Sequence, residues 1–133
     1  VDHWHGITLA GARDCRIVNN TVARPPGGVG GPPWVRIGDH KNGTPSTGCL
    51  VRNNLAPSLN VDPGRAMTVD HNLAPAPAQD VFMDAAGYDF RLRPGSPALD
   101  AGFGDRAPAA DILGRPRPRG AAVDLGAYEG PGG

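Results

Sequence analysis

Aromatic residues make up only 5% of the sequence, and there are just two cysteines and two methionines. A core built from this chain must rest on aliphatic side chains, with Cys and Met as minor fillers. Two cysteines are too few for a disulfide scaffold or a zinc site. Charge of one sign is not in excess either, since 13 Lys and Arg balance 13 Asp and Glu. That balance gives no field for capturing nucleic acid or a membrane surface, and neither is expected as a partner. No apolar run approaches the roughly 18 residues that cross a bilayer. The sequence shows no initiator methionine and no signal peptide, so it reads as a fragment or a processed piece.

What the chain has in quantity is 20 Gly and 15 Pro, about a quarter of its 133 residues. Such a share without periodicity would point to disorder. This sequence is periodic. Cys15-Arg16-Ile17-Val18-Asn19-Asn20-Thr21-Val22-Ala23 returns as Cys49-Leu50-Val51-Arg52-Asn53-Asn54-Leu55-Ala56-Pro57, and again as Met67-Thr68-Val69-Asp70-His71-Asn72-Leu73-Ala74-Pro75. The first and third columns are apolar, and the sixth is asparagine each time. Self-similarity of this kind marks stacked units that cannot bury a core alone. The two cysteines share a column, about 4.8 Å apart in a parallel ladder. Side chains pointing the same way fit a disulfide poorly, so buried free thiols are expected.

A second strand precedes each copy: Ile7-Thr8-Leu9, then Val35-Arg36-Ile37, then Leu59-Asn60-Val61. Each alternates apolar with polar residues, as a half-buried strand does. A weaker fourth copy joins Val81-Phe82-Met83-Asp84 to Phe90-Arg91-Leu92. The long connections at Arg24 to Pro33 and His40 to Gly48 are rich in turn formers and read as loops. The expected inward columns are Ile7/Val35/Leu59/Val81, Leu9/Ile37/Val61/Met83, Cys15/Cys49/Met67/Phe90 and Ile17/Val51/Val69/Leu92. The fold expected is all-β: a right-handed parallel β-helix, a solenoid of about four rungs over residues 1–92, with a C-terminal cap and tail over 93–133. Stacked asparagines at Asn20, Asn54 and Asn72 should bond to one another and to turn backbone. Arg52 should pair with Asp70 on the next rung.

The tail contains Gly95-Ser96-Pro97-Ala98-Leu99-Asp100-Ala101-Gly102 and closes on Asp124-Leu125-Gly126-Ala127-Tyr128-Glu129. Together with Tyr88-Asp89-Phe90-Arg91-Leu92 and the repeats, it resembles the C-terminal end of pectate-lyase-like right-handed β-helix proteins. The resemblance covers nearly the whole chain and is specific for architecture, not for one activity. Ser96 is expected to cap a short helical turn, with Leu99 plugging the core end and Gly102 ending the turn. The acids Asp100, Asp111, Asp124 and Glu129 either form a cluster or bind turn N–H groups and pair with Arg115 and Arg117. An uncovered first rung would leave the chain open to end-to-end self-association.

The resemblance implies an extracellular or periplasmic protein with polysaccharide laid across one outer face. In lyases of this kind an acidic glycan is cleaved by β-elimination, with a Lys, Arg or His base and often calcium to neutralise the carboxylate. The residues offering this are Arg36, His40 and Lys41 as catalytic groups and Asp39, Asp62 and Asp84 as calcium ligands. Asp62 and Asp84 would share a column, about 5 Å apart. Trp4, His5, Trp34 and Asn60 would bind the glycan, the tryptophans by stacking. Each set has a structural alternative: Asx turns for the aspartates, plain loop exposure for His40 and Lys41, and loop cover for the tryptophans. Two readings of function follow: a polysaccharide lyase segment, or a non-catalytic structural or glycan-binding module.

Overall fold

The computed structural model describes residues 6–23, 34–62 and 65–131. Strand dominates its regular structure. In chain order come β1 (Ile7–Ala10), β2 (Arg16–Val18), β3 (Trp34–Gly38), β4 (Leu50–Arg52), β5 (Ser58–Val61) and β6 (Thr68–Asp70). A four-residue helix α1 (Ala78–Val81), β7 (Phe82–Asp84), a 3-10 turn (Ala85–Gly87) and β8 (Asp89–Leu92) complete the set. The fold is all-β.

The first six strands form two parallel sheets, ordered β1-β3-β5 and β2-β4-β6. Each repeat thus supplies one strand to each sheet. Ile7, Val35 and Leu59 fall in one register column, Leu9, Ile37 and Val61 in another, and Ile17, Val51 and Val69 in a third. Bridges Thr21 to Leu55 and Leu55 to Leu73 extend the pairing beyond the second sheet. Burial is deepest in the middle level, where Val35, Ile37, Cys49 and Val51 lie at 5% exposure or less. Both cysteines are free thiols, as their column requires.

Two columns of left-handed backbone make the bends on either side of the second sheet. Asp14, Gly48 and Ala66 have φ of 54°, 70° and 55°, and Asn19, Asn53 and His71 have 53°, 59° and 52°. Glycine, Asn and Asp take this conformation at low cost, which accounts for four of the six. The asparagine ladder follows directly. Asn54 Oδ1 accepts from both the backbone N–H and Nδ2 of Asn20, and Asn72 Oδ1 accepts the same pair from Asn54. Asn54 Nδ2 also donates to Ile17 O, and Asn72 Nδ2 to Val51 O.

The fourth repeat departs from expectation. Val81 ends α1, and β7 pairs antiparallel with β8, Phe82 facing Leu92 and Asp84 facing Asp89. The reversal is made by the 3-10 turn and by Tyr88, whose φ is 63°. Met83, placed inward by the repeat, is 52% exposed. A second core cluster gathers Val81, Phe82, Leu92, Ala98 and Leu125 around Leu55 of the ladder. Leu99 packs at its edge, so it does not plug the end of the first core. Among the tail residues 93–131 the chain runs as turns. Ser96 Oγ accepts from Ala98 N–H as a cap should, but the left-handed residue is Asp100, φ 54°, not Gly102. Gly102 is needed for close approach instead, because a Cβ there would meet Val123 at 2.8 Å.

The tail is fastened through the left-handed asparagines. Asn53 Nδ2 donates to Phe103 O at 2.8 Å while Phe103 N–H donates to Asn53 Oδ1 at 2.9 Å. Asn19 Nδ2 donates to Asp124 O. Arg52, expected as an exposed pair, is 7% exposed and does more. It holds Asp70 with two bonds of 2.6 and 2.9 Å, reaches Asp105 at 3.1 Å, and lies 4.7 Å from the Phe103 ring centre. The tail acids bind backbone N–H groups: Asp111 takes Leu113, Arg115 and Glu129, and Asp124 takes Asp100 and Gly130. Glu129 pairs with Arg117 at 2.5 Å, both side chains fully covered.

Candidate functional sites

The residues expected to do chemistry lie at the end of β3 and in the loop after it. Arg36 stands in register between Thr8 and Asn60 and is half-buried. Its guanidinium folds back along its own strand, so that a Cβ on Gly38 would meet Nη2 at 3.3 Å. The loop then closes on itself. His40 N–H donates to Thr44 O, Gly43 N–H donates to His40 O, and Asn42 N–H donates to His40 Nδ1 at 3.2 Å. Lys41 sits exposed at this turn. Ser46, which is 2% exposed, ties the loop to the first level by accepting from Ala12 N–H and donating to Gly38 O. Asn60 is exposed on β5. Trp4, His5 and the Trp34 side chain lie outside the described residues.

The expected calcium ligands do not converge. Asp39 is bound by the Arg65 guanidinium and accepts from Ser46 N–H at 3.3 Å. Arg65 holds its carboxyl below the ordinary range, and the Ser46 N–H adds to the effect. Asp62 Oδ2 lies 3.9 Å from Arg65 Nε, so the same guanidinium stands between the two acids. Asp84 is not stacked on Asp62. It belongs to the antiparallel hairpin, where it caps the 3-10 turn by accepting from Gly87 N–H. Calcium needs six or more oxygen ligands, and here the two nearby carboxylates already face a fixed cation. Among the described residues no group of three or more His, Cys, Asp or Glu is placed to hold a metal. Arg65 was not among the expected site residues. Its only signal was its position opposite Arg13 in the connection between strands.

A different concavity is better furnished. A groove of about 750 Å³ runs where the hairpin meets the tail. Arg91, Arg115 and Arg119 line it, with Met83, Leu92, Pro94 and Pro116 as apolar floor and walls. Arg91 is held by Asp89 through bonds of 2.8 and 2.6 Å, and this pairing lowers the Asp89 carboxyl below its usual range. Among the described residues the side chains of Arg115 and Arg119 make only long bonds of 3.5 Å, to the carbonyls of Glu129 and Gly130. Glu129 also borders the groove, but its carboxylate is spent on buried Arg117 and on the N–H groups of Asp124 and Arg119. The groove therefore presents net positive charge to solvent.

No family model, curated protein or solved structure matches the chain. The arrangement must be read from its own chemistry. Guanidinium groups bind carboxylates in planar two-point fashion, and apolar walls strip water from the contact. The run Arg115-Pro116-Arg117-Pro118-Arg119 carried the signal in the sequence. Alternation along it would put all three arginines on one face. The fold instead buries Arg117 and leaves Arg115 and Arg119 for the groove. Among the described residues no helix is long and apolar enough to cross a membrane.

Proposed function

We propose that this chain is the C-terminal part of a right-handed parallel β-helix of the pectate-lyase-like kind, and that it works as a non-catalytic module holding an acidic polysaccharide outside the cell. The fold reading is supported by two parallel sheets that share the first three repeats and by the asparagine ladder beside them. The observation that carries the binding reading is the groove lined by Arg91, Arg115 and Arg119 with apolar walls, in which the bordering Glu129 carboxylate is taken by Arg117. Successive uronate carboxylates of a glycan would meet the arginines while the sugar C–H faces pack on Met83 and the prolines. The Arg65 guanidinium lies against both Asp39 and Asp62, the carboxylates expected to hold calcium beside Arg36, His40 and Lys41.

The test is titration of the chain with polygalacturonate and alginate fragments, and with a neutral glucan as control. Binding is expected for the uronates alone, and Arg115→Ala or Arg119→Ala should each weaken it roughly tenfold, about 1.4 kcal/mol. Equal binding to the neutral glucan, or no change in either variant, would overturn the groove as the site. Release of an ultraviolet-absorbing unsaturated product would restore the lyase reading, and Lys41→Ala would then be the next variant to assay.

A further inference from the structure

Met83, 52% exposed on β7, borders two concavities. One is the arginine groove. The other holds about 410 Å³ and is walled by Ala78 of α1 and by Ala85 and Ala86 of the 3-10 turn. Side chains this short leave the space unfilled. The chain where β8 ends serves both concavities, since Arg91, Leu92 and Pro94 line the groove and Arg93 lines its neighbour. The two adjoin, yet their charges differ. Arg115 and Arg119 give the groove a positive sign. The second concavity is lined by one cation, Arg93, and one anion, Asp84. Among the described residues neither has an ion-pair partner: Arg93 Nη1 donates to Gln79 O, and Asp84 Oδ1 accepts from Gly87 N–H. The remaining donors and lone pairs of both groups are left for a ligand.

We propose that the second concavity is a subsite for an uncharged, N-acetylated sugar joined to a uronate held in the arginine groove. The module then recognises a glycan in which the two kinds of sugar alternate. This rests on the reading of the groove as a uronate site. A uronate in the second concavity would bring its carboxylate to Asp84, and like charges in a shared site repel. An N-acetylated sugar avoids that cost. Its amide N–H and hydroxyls can donate to Asp84, and its acetyl oxygen can accept from Arg93. The acetyl methyl packs on Ala78, Ala85 and Ala86, and Met83 lies under the link between the two sugars. Discrimination comes as much from the charge that excludes a second uronate as from the contacts that admit its neutral neighbour.

Calorimetric titration with fragments of equal length tests this, comparing polygalacturonate with hyaluronan, in which uronate alternates with an N-acetylated neutral sugar. Hyaluronan fragments should bind roughly tenfold tighter. Ala86→Leu, at an exposed turn position, fills the concavity and should remove that advantage while leaving polygalacturonate binding unchanged. Asp84→Asn keeps an oxygen for Gly87 N–H and removes the charge, so polygalacturonate should gain several-fold. Arg115→Ala should weaken both ligands. Equal or weaker binding of hyaluronan, or an advantage that survives Ala86→Leu, would overturn the second subsite and leave the uronate groove standing. Failure of both ligands to bind would overturn the groove reading and the subsite with it.

Discussion

Asn54 is fully buried, and five hydrogen bonds converge on its side chain and backbone N–H. Asn54→Ala would take the side-chain acceptor from the Asn20 N–H and amide, and the buried side-chain donor from the Ile17 carbonyl. The expected loss is about 2–4 kcal/mol, read as a lower urea midpoint with the slope unchanged. Asp70 sets the response to acid. Its carboxyl is pushed down to about 2, chiefly by the bonds from Arg52 and against some burial. A depressed carboxyl contributes stability above its unfolded value near 4, and that contribution is lost as pH falls through 2. Asp111 works in the same sense: burial opposes its charge, but the N–H groups of Glu129, Arg115 and Leu113 outweigh it. Melting temperatures should therefore fall steeply between pH 4 and 2, and Asp70→Asn should flatten that fall. The asparagine ladder was legible in the sequence because the same residue recurs three times. The left-handed column before it was not, because His71 breaks the run Asn19, Asn53.

At the level of elements, the parallel pairs were readable and the hairpin was not. Alternation in Val81 to Asp84 matches that in Leu59 to Asp62, and alternation alone does not distinguish a parallel from an antiparallel partner. The turn decides it. Three residues of 3-10 turn and a left-handed Tyr88 send β8 straight back along β7. The hairpin is then free to build its own core with the tail, where Phe82 is 1% exposed and stacks edge-on with Phe90 at 5.3 Å. Phe82→Ala should cost about 3–5 kcal/mol in denaturant unfolding. The partner of Asp39 was hidden from the sequence for a related reason. Asp39 and Arg65 are far apart in sequence, and only the stacking of levels brings the guanidinium onto the carboxylate. A sequence pattern identifies acids near strand ends but not the cation that the next level delivers to them.

Across the whole molecule, a net charge of zero conceals an uneven distribution. Asp111, Asp124 and Glu129 of the tail are turned inward onto backbone N–H groups and Arg117, and Arg91 is matched by Asp89, which leaves Arg115 and Arg119 to set the sign at the groove. Uronate binding there should weaken as ionic strength rises, because exposed arginines are screened within about 10 Å at 0.1 M salt. The apolar column ends sit at the ends of the two sheets, away from the groove-lining residues of the hairpin and tail.

The left-handed columns lie five residues apart in every copy, at 14 and 19, 48 and 53, and 66 and 71. Between them the chain has no slack. One residue added or removed inside any of these windows would turn a bend into a strand position and bring an outward side chain into the core. The two long connections fall outside the windows, after Thr21 and between Gly38 and Gly48. The protein thus keeps a phase of its own. Its length can drift only where the count between bends does not matter, and homologous chains of different size should differ there and nowhere else.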